Sequence, residues 1–393
     1  MSVTIVDTPE RLADVAARVA AAGAVALDTE FHNERSYSAR LMVVQLVVDG
    51  ETYIVDPLRV ADLQPLAAAI AGTTVVGHAL SSDLRILADK FGVLPAAAFD
   101  TQLAAAFLGY GISISLADLV QDLTGVRLRK AHTVSDWSAR PLSEAQLEYL
   151  VDDVRYLLPM RDALAGRLDA RGRRAWFDEE SLPLVDLARY RSDPERLYLR
   201  IPGAMRMNRR ELGILRELAV LRDDLARARD VPLKFIVPDD VMPAIVHLRP
   251  KSPEDLAQLR RMDAGVRKAY GERIVAAVLR GGELDEADLP SKPARPRGQD
   301  REAIASALSV LVSAIAAENE LPSSLLAPRT ALDRVARELP ASADDVARTI
   351  DHSGWRASLL AEPVYAMLSG RTALAVRGSA SGNPRIELVD TPE

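Results

Sequence analysis

Residues 24–31 read AVALDTEF. Four apolar residues lead into Asp28, Thr29, Glu30 and Phe31, a strand-like run that ends in acid. Along a strand, residues i and i+2 share a face, so Asp28 and Glu30 converge if the strand continues through them. Two buried carboxylates side by side repel, and one takes a proton unless a cation stands between them. Hard divalent cations take oxygen ligands, so a metal centre is one reading. The other is a solvated strand end with its acids paired to Arg35 or Arg40. This stretch alone does not choose.

Working outward, TIVDT is a short strand and TPERLADVAARVAAAG a helix, with Thr8 as cap, Pro9 at the first helical position and Gly23 as stop. LMVVQLVV, ETYIVDPL and TTVVGHA read as further strands; LQPLAAAIAG and SSDLRILADKFG read as helices. Strands alternating with helices predict a mixed α/β domain. From about residue 115 the pattern is mostly helical.

The helical part contains a repeat at a fixed shift of 90. Val220, Leu221, Ala226, Pro232, Pro238 and Pro250 match Val310, Leu311, Ala316, Pro322, Pro328 and Pro340. Each copy reads as an amphipathic helix, a proline-broken connection and shorter helices. LDEADLPSKPARPRGQD between them reads as a linker, and VRGSASGNPRIELVDTPE as a loosely ordered tail. Residues 200–280 hold 17 Lys/Arg and 11 Asp/Glu, whereas residues 301–370 hold 6 and 9. The first copy is therefore the better candidate for phosphate contact, through Arg206, Arg209 and Arg210, and the acidic second copy for packing on its neighbours.

Further acids join the first pair. Asp83 lies in HALSSDL, in the first turn of a helix that Ser81 could cap. In LSEAQLEYLVDDVRYLLPM, Tyr149 and Asp153 are four apart and share a helical face; Asp152, three from Tyr149, lies close to the same face. Spacing alone leaves Asp152 and Asp153 open.

DTEF, HALSSDL and YLVDD resemble, in order, the three exonuclease motifs of the DEDD superfamily. Tyr-x-x-x-Asp is its tyrosine-subgroup spacing, which points to Asp153. DTEFHNERSYSARLMVVQL, IVDPL, FDTQLAAAFLG and SDWSARPLSEAQLEYLVDDVRYLLP extend the resemblance to the ribonuclease D family over roughly residues 1–190. The helical repeat resembles that family's HRDC (helicase-and-ribonuclease-D C-terminal) domain, present twice.

The resemblance implies a fold class: an α/β ribonuclease-H-like exonuclease domain at 1–190, followed by two all-α helical-bundle HRDC domains. These lie at 205–283 and 300–372, joined by a linker at 284–299 and followed by a flexible tail at 373–393. It implies 3′–5′ hydrolysis of RNA to nucleoside 5′-monophosphates, with Asp28, Glu30, Asp83 and Asp153 holding two divalent ions, Mg²⁺ or Mn²⁺. Four carboxylates offset four positive charges. Tyr149 orients the attacking water; a free tyrosine pKa near 10 makes it a poor base. The implied partner is RNA with a single-stranded 3′ end, tRNA precursors above all. A DNA exonuclease of the same superfamily and a catalytically silent nucleic-acid-binding scaffold are the alternatives, since the acid motifs do not see a 2′-hydroxyl.

Other candidates carry two readings each. His78 ends a buried strand and is a packed histidine or a substrate contact. Lys130 and His132 are phosphate contacts or surface loop. Phe31 points away from the acids by alternation, into core or toward the terminal nucleotide. Trp137 reads as a core anchor and Gln45 as a residue behind the acids. The chain has no cysteine, which excludes disulfides and thiolate metal sites. The N-terminus lacks the pattern of a signal peptide, and no stretch is apolar for long enough to span a membrane. A cytoplasmic setting is the expectation.

Overall fold

The computed structural model describes residues 3–128, 136–191, 193–291, 299–350, 354–378 and 385–391. The first part of the chain runs β1 (Val3–Val6), α1 (Pro9–Ala21), β2 (Ala24–His32), β3 (Arg40–Val48), β4 (Glu51–Val55), α2 (Gln64–Ala71), β5 (Thr74–Gly77), α3 (Ser81–Phe91) and β6 (Ala97–Asp100). Helices α4 (Thr101–Phe107), α5 (Leu116–Thr124), α6 (Glu144–Arg155), α7 (Leu157–Ala170) and α8 (Arg174–Ser181) follow. The six strands form one mixed sheet in the order β1-β4-β3-β2-β5-β6. β4 pairs parallel to β1 and antiparallel to β3; β5 pairs parallel to both β2 and β6. β2 thus lies in the interior of the sheet, which explains its apolar first half: Val25, Ala26 and Leu27 are fully buried.

After residue 194 the described chain is helical up to the tail. Short 3-10 turns at 194–200 and 204–206 lead into α9 (Arg209–Arg229), α10 (Leu233–Ile236), α11 (Val241–Leu248) and α12 (Ala264–Glu283). Then come α13 (Gln299–Glu318), α14 (Ser323–Leu326), α15 (Arg329–Glu338), α16 (Ala343–Ile350) and α17 (Trp355–Leu368). The left-handed residues Asp230 and Arg249 have φ of 48° and 49°, and Glu320 and Leu339, each 90 later, have 50° and 48°.

The chain divides into two compact units. One comprises residues 1–29, 44–189 and 295–393; the other comprises residues 30–43 and 190–294. In the first, α13–α17 share a single apolar core with α4–α8. Trp355 stacks on Trp176 at 5.4 Å and meets Phe107 edge-on at 5.1 Å. Arg356, itself buried, pairs with Glu180 and donates to the Leu325 carbonyl at 3.0 Å. Helices α13–α17 therefore pack on α4–α8 mainly through apolar surface. Removing residues 301–393 would expose this core.

In the second unit, α9 and α12 cross where Gly213 meets Gly281; a Cβ on Gly281 would stand 2.5 Å from the Ile214 Cα. The β2–β3 connection belongs to this unit through Tyr37. Its hydroxyl donates to Asp223 at 2.7 Å, its amide donates to Asp230 at 3.1 Å, and Arg227 lies over its ring.

One expectation needs correction. The tail read as loosely ordered carries a two-stranded antiparallel sheet, β7 (Thr372–Arg377) with β8 (Arg385–Asp390). Cross-strand partners Leu374 and Leu388 lie on one face and pack against the core of the first unit, an apolar pairing that the Gly- and Ser-rich link between the strands obscured.

Candidate metal centre

β2 alternates through the acids: Leu27 and Thr29 are buried, whereas Asp28 and Glu30 are half-buried. α6 supplies the third group. Its start is a capping box, with Ser143 Oγ accepting from the Gln146 amide at 3.2 Å and Gln146 Oε1 accepting from the Ser143 amide at 2.9 Å. Leu150 and Val154 anchor its inner face in the core. That rotation sets Asp153 beside β2. One carboxylate oxygen from each of Asp28, Glu30 and Asp153 lies within 4.8 Å of the others. Asp152 points elsewhere, pairing with Arg155 at 3.0 Å. Of the two aspartates that spacing left open, Asp153 is the one that meets the acids of β2.

Asp83 stands apart from this trio. It is buried in the first turn of α3 and accepts the Thr29 hydroxyl at 2.5 Å. Burial pushes its pKa up to about 6, against the opposing pull of the Thr29 hydrogen bond. Burial also pushes Asp153 up to about 7; a hydrogen bond from Tyr149 opposes the shift and the Asp152 charge adds to it. Asp153 Oδ2 is buried without a hydrogen-bond partner among the described residues. Three converging carboxylates, one with an orphaned oxygen, fit a hard divalent cation, which would offset the desolvation that now disfavours their charge.

The surroundings correct several expectations. Ser81 does not cap α3: the cap position is held by Leu80, whose side chain makes no capping bond. Asp100 instead accepts from the Ala79 and Leu80 amides at 3.0 and 2.9 Å, and from Gln102 at the start of α4 at 2.9 Å. One carboxylate thus serves both helix starts, and the Asp-Thr at 100–101 was its sequence signal. His78 is a packed histidine. Its Nε2 donates to the Ile114 carbonyl at 3.0 Å and its Nδ1 pairs with the Thr101 hydroxyl at 2.9 Å. Both ring nitrogens are thus engaged within the domain, and burial pushes the pKa down. Phe31 is half-buried. Lys130 and His132 lie outside the described residues.

Arg209 and Arg210 are engaged by backbone carbonyls and by Glu286. Arg209 donates to the carbonyls of Glu286 at 2.8 Å, Leu289 at 3.1 Å and Pro290 at 3.3 Å. Arg210 donates to the carbonyls of Gly282 at 3.2 Å and Leu284, and both pair with Glu286. Arg210 thus meets a carbonyl in the last turn of α12, where helical partners are lacking, and Arg209 ties down the chain that follows it. Arg206 is exposed. Trp137 is buried, its ring centroid 5.7 Å from that of Tyr149. Gln45 is fully buried, and neither end of its amide has a partner among the described residues.

Comparison with known proteins finds relatives along nearly the whole chain. A family described as 3′–5′ exonuclease matches residues 3–169, and the HRDC domain matches residues 211–278. Ribonuclease D of Acidiphilium cryptum is 36% identical over 99% of this chain and 97% of its own length. Ribonuclease D of Nitrobacter hamburgensis is 36% identical over 95% of this chain and 97% of its own. The crystal structure of Escherichia coli RNase D, titled an exoribonuclease involved in structured RNA processing, superposes with a TM-score of 0.83. It is 30% identical, covering 94% of this chain and 99% of that one. No described helix is long and apolar enough to cross a membrane. With an exonuclease domain, one matched HRDC domain and end-to-end similarity, the chain belongs to the ribonuclease D family.

Proposed function

We propose that Asp28, Glu30, Asp83 and Asp153 hold two divalent cations, Mg²⁺ or Mn²⁺, and that with Tyr149 they carry the 3′–5′ exoribonuclease activity of this chain. The observation that carries this is the convergence of Asp28, Glu30 and Asp153 within 4.8 Å. Asp83 joins them through Thr29, which lies between the two acids of β2. Bound divalent cations supply an activated water and offset charge on the phosphate. The protein's own part is to converge the carboxylates in a partly dry site and to keep the Tyr149 hydroxyl on Asp153, where it orients the water.

The substrate is RNA with a single-stranded 3′ end, degraded to nucleoside 5′-monophosphates, with tRNA precursors as the natural class. Support comes from the E. coli relative, an exoribonuclease involved in structured RNA processing. Arg206 is the phosphate-contact candidate left in the first HRDC domain. Residues 300–372 form a second HRDC-like domain. Supporting this, helices begin at Arg209, Leu233 and Ala264 and again at Gln299, Ser323 and Trp355, and the left-handed residues recur 90 apart.

The test is degradation of a 3′-overhang RNA with Mg²⁺, Mn²⁺ or EDTA, beside a matched DNA and the Asp28→Asn variant. Stepwise release of 5′-monophosphates that EDTA and Asp28→Asn abolish is the expected result. Activity surviving either one refutes the metal reading, and preference for DNA refutes the RNA reading.

A further inference from the structure

Two stretches noted in the sequence, IVDPL at 54–58 and SDWSARPL at 135–142, contribute nothing to the acid cluster. The structure joins them. Asp56, just past the end of β4, is buried, and its carboxylate receives Arg140 as a fork: Nε to Oδ2 at 2.6 Å and Nη2 to Oδ1 at 2.8 Å. The Leu58 amide adds a third bond to Asp56 at 3.0 Å. The remaining guanidinium nitrogen, Nη1, donates to the carbonyls of Trp137 and Ala139, both at 2.8 Å.

The same segment is held from its other side. Gln146 in the first turn of α6 donates to the Asp136 carbonyl at 3.2 Å, and Asp136 caps the Ser138 amide at 2.9 Å. What this wiring presents is the buried Trp137 indole, tilted 32° against the Tyr149 ring at 5.7 Å. Tyr149 in turn reaches Asp153.

We propose that Asp56, Arg140 and Trp137 are positioning residues for hydrolysis: the Asp56–Arg140 pair fixes the 136–140 segment so that Trp137 braces the Tyr149 ring and keeps its hydroxyl on Asp153. This rests on the reading of Tyr149 given above. A brace of this kind acts through one residue only. A buried ion pair that merely stabilised the domain would change the folded fraction and leave turnover per folded molecule intact.

The experiment is a double-mutant cycle on the full chain. Trp137→Leu, Trp137→Phe and Arg140→Lys are made alone and with Tyr149→Phe, and kcat and KM are measured on 3′-overhang RNA at saturating Mg²⁺. Near-ultraviolet circular dichroism and amide exchange over residues 136–153 are followed in EDTA. Misplacing Tyr149 should lower kcat about 10- to 100-fold with KM within about twofold in Trp137→Leu and Arg140→Lys, with Trp137→Phe keeping most activity. In the Tyr149→Phe background the same changes should cost less than about twofold more. Exchange over 136–153 should rise in Arg140→Lys without metal. Losses that multiply across the two backgrounds, or folded variants with unchanged kcat, overturn the brace. If Arg140→Lys does not fold, the Trp137 pair decides. Wild-type activity that resists EDTA, or a fully active Tyr149→Phe, fails the site reading itself and takes the brace with it; an additive cycle in an EDTA-sensitive enzyme fails the brace alone.

Discussion

Thr29 donates its hydroxyl to Asp83 across 54 residues of sequence, tying the strand that bears two clustered acids to the first turn of α3. The bond favours the ionised form of Asp83, because it opposes the effect of burial. Thr29→Val keeps the shape and removes the donor. It should destabilise the protein at pH 7 by about 1–3 kcal/mol, the range for losing a buried bond to a charged group. Urea titration of the two proteins checks this, and equal midpoints would contradict it.

The buried acids also set a pH dependence. Asp83 and Asp153 sit at about 6 and about 7 when folded, above the usual carboxylate value. The folded state therefore binds protons more tightly than the unfolded one. Their contribution to stability is complete below about pH 4 and is lost as pH rises through 6 and 7. A divalent cation competes with those protons. The Tm gain from Mg²⁺ over EDTA should be larger at pH 7.5 than at pH 5, and Asp153→Asn should flatten the difference. A gain independent of pH would speak against these groups as ligands.

Asp152 and Asp153 offer a sharp contrast. Asp153→Asn removes a member of the cluster and should lower kcat at least about 100-fold. Asp152→Asn removes a partner of Arg155 and should leave kcat within about threefold, at a cost near 1 kcal/mol. Initial rates on one RNA substrate distinguish the two, and comparable losses would mean that the cluster is misassigned.

Arg209 and Arg210 should act on stability. Arg210 ties carbonyls at the end of α12 and Arg209 those of the segment just after it, so Arg209→Gln or Arg210→Gln should cost about 1–3 kcal/mol while RNA affinity changes less than about threefold. Arg206→Gln should stay within about 0.5 kcal/mol of wild type. Filter binding and chemical denaturation on the three variants give the comparison.

At the α9–α12 crossing, Gly281→Ala forces a methyl to 2.5 Å from the backbone of Ile214. The helices must separate, at a cost of about 1–3 kcal/mol. Thermal unfolding should show a lower Tm in the variant, whereas Gly282→Ala, where nothing lies within 4 Å, should show none.

Much of this protein was legible in the chain itself. Strand and helix periods laid out the α/β half, the shift of 90 exposed the helical repeat, and the order of DTEF, HALSSDL and YLVDD brought Asp28, Glu30 and Asp153 together as candidates. These features are local or periodic, and backbone geometry alone translates them into faces of strands and helices. What the chain could not reveal depends on rotation and on distant partners. The choice of Asp153 over Asp152 needed the seating of α6 on Leu150 and Val154. Arg209 and Arg210 read as an RNA grip because charge is visible in sequence and their carbonyl partners, more than 70 residues away, are not. Asp56 and Arg140 lie 84 residues apart, and no spacing links them; folding brings the guanidinium onto the buried carboxylate. Sequence by itself determined which acids the chain places on its strands and helices; tertiary structure decided which of them share a site, because convergence of side chains is a property of packing.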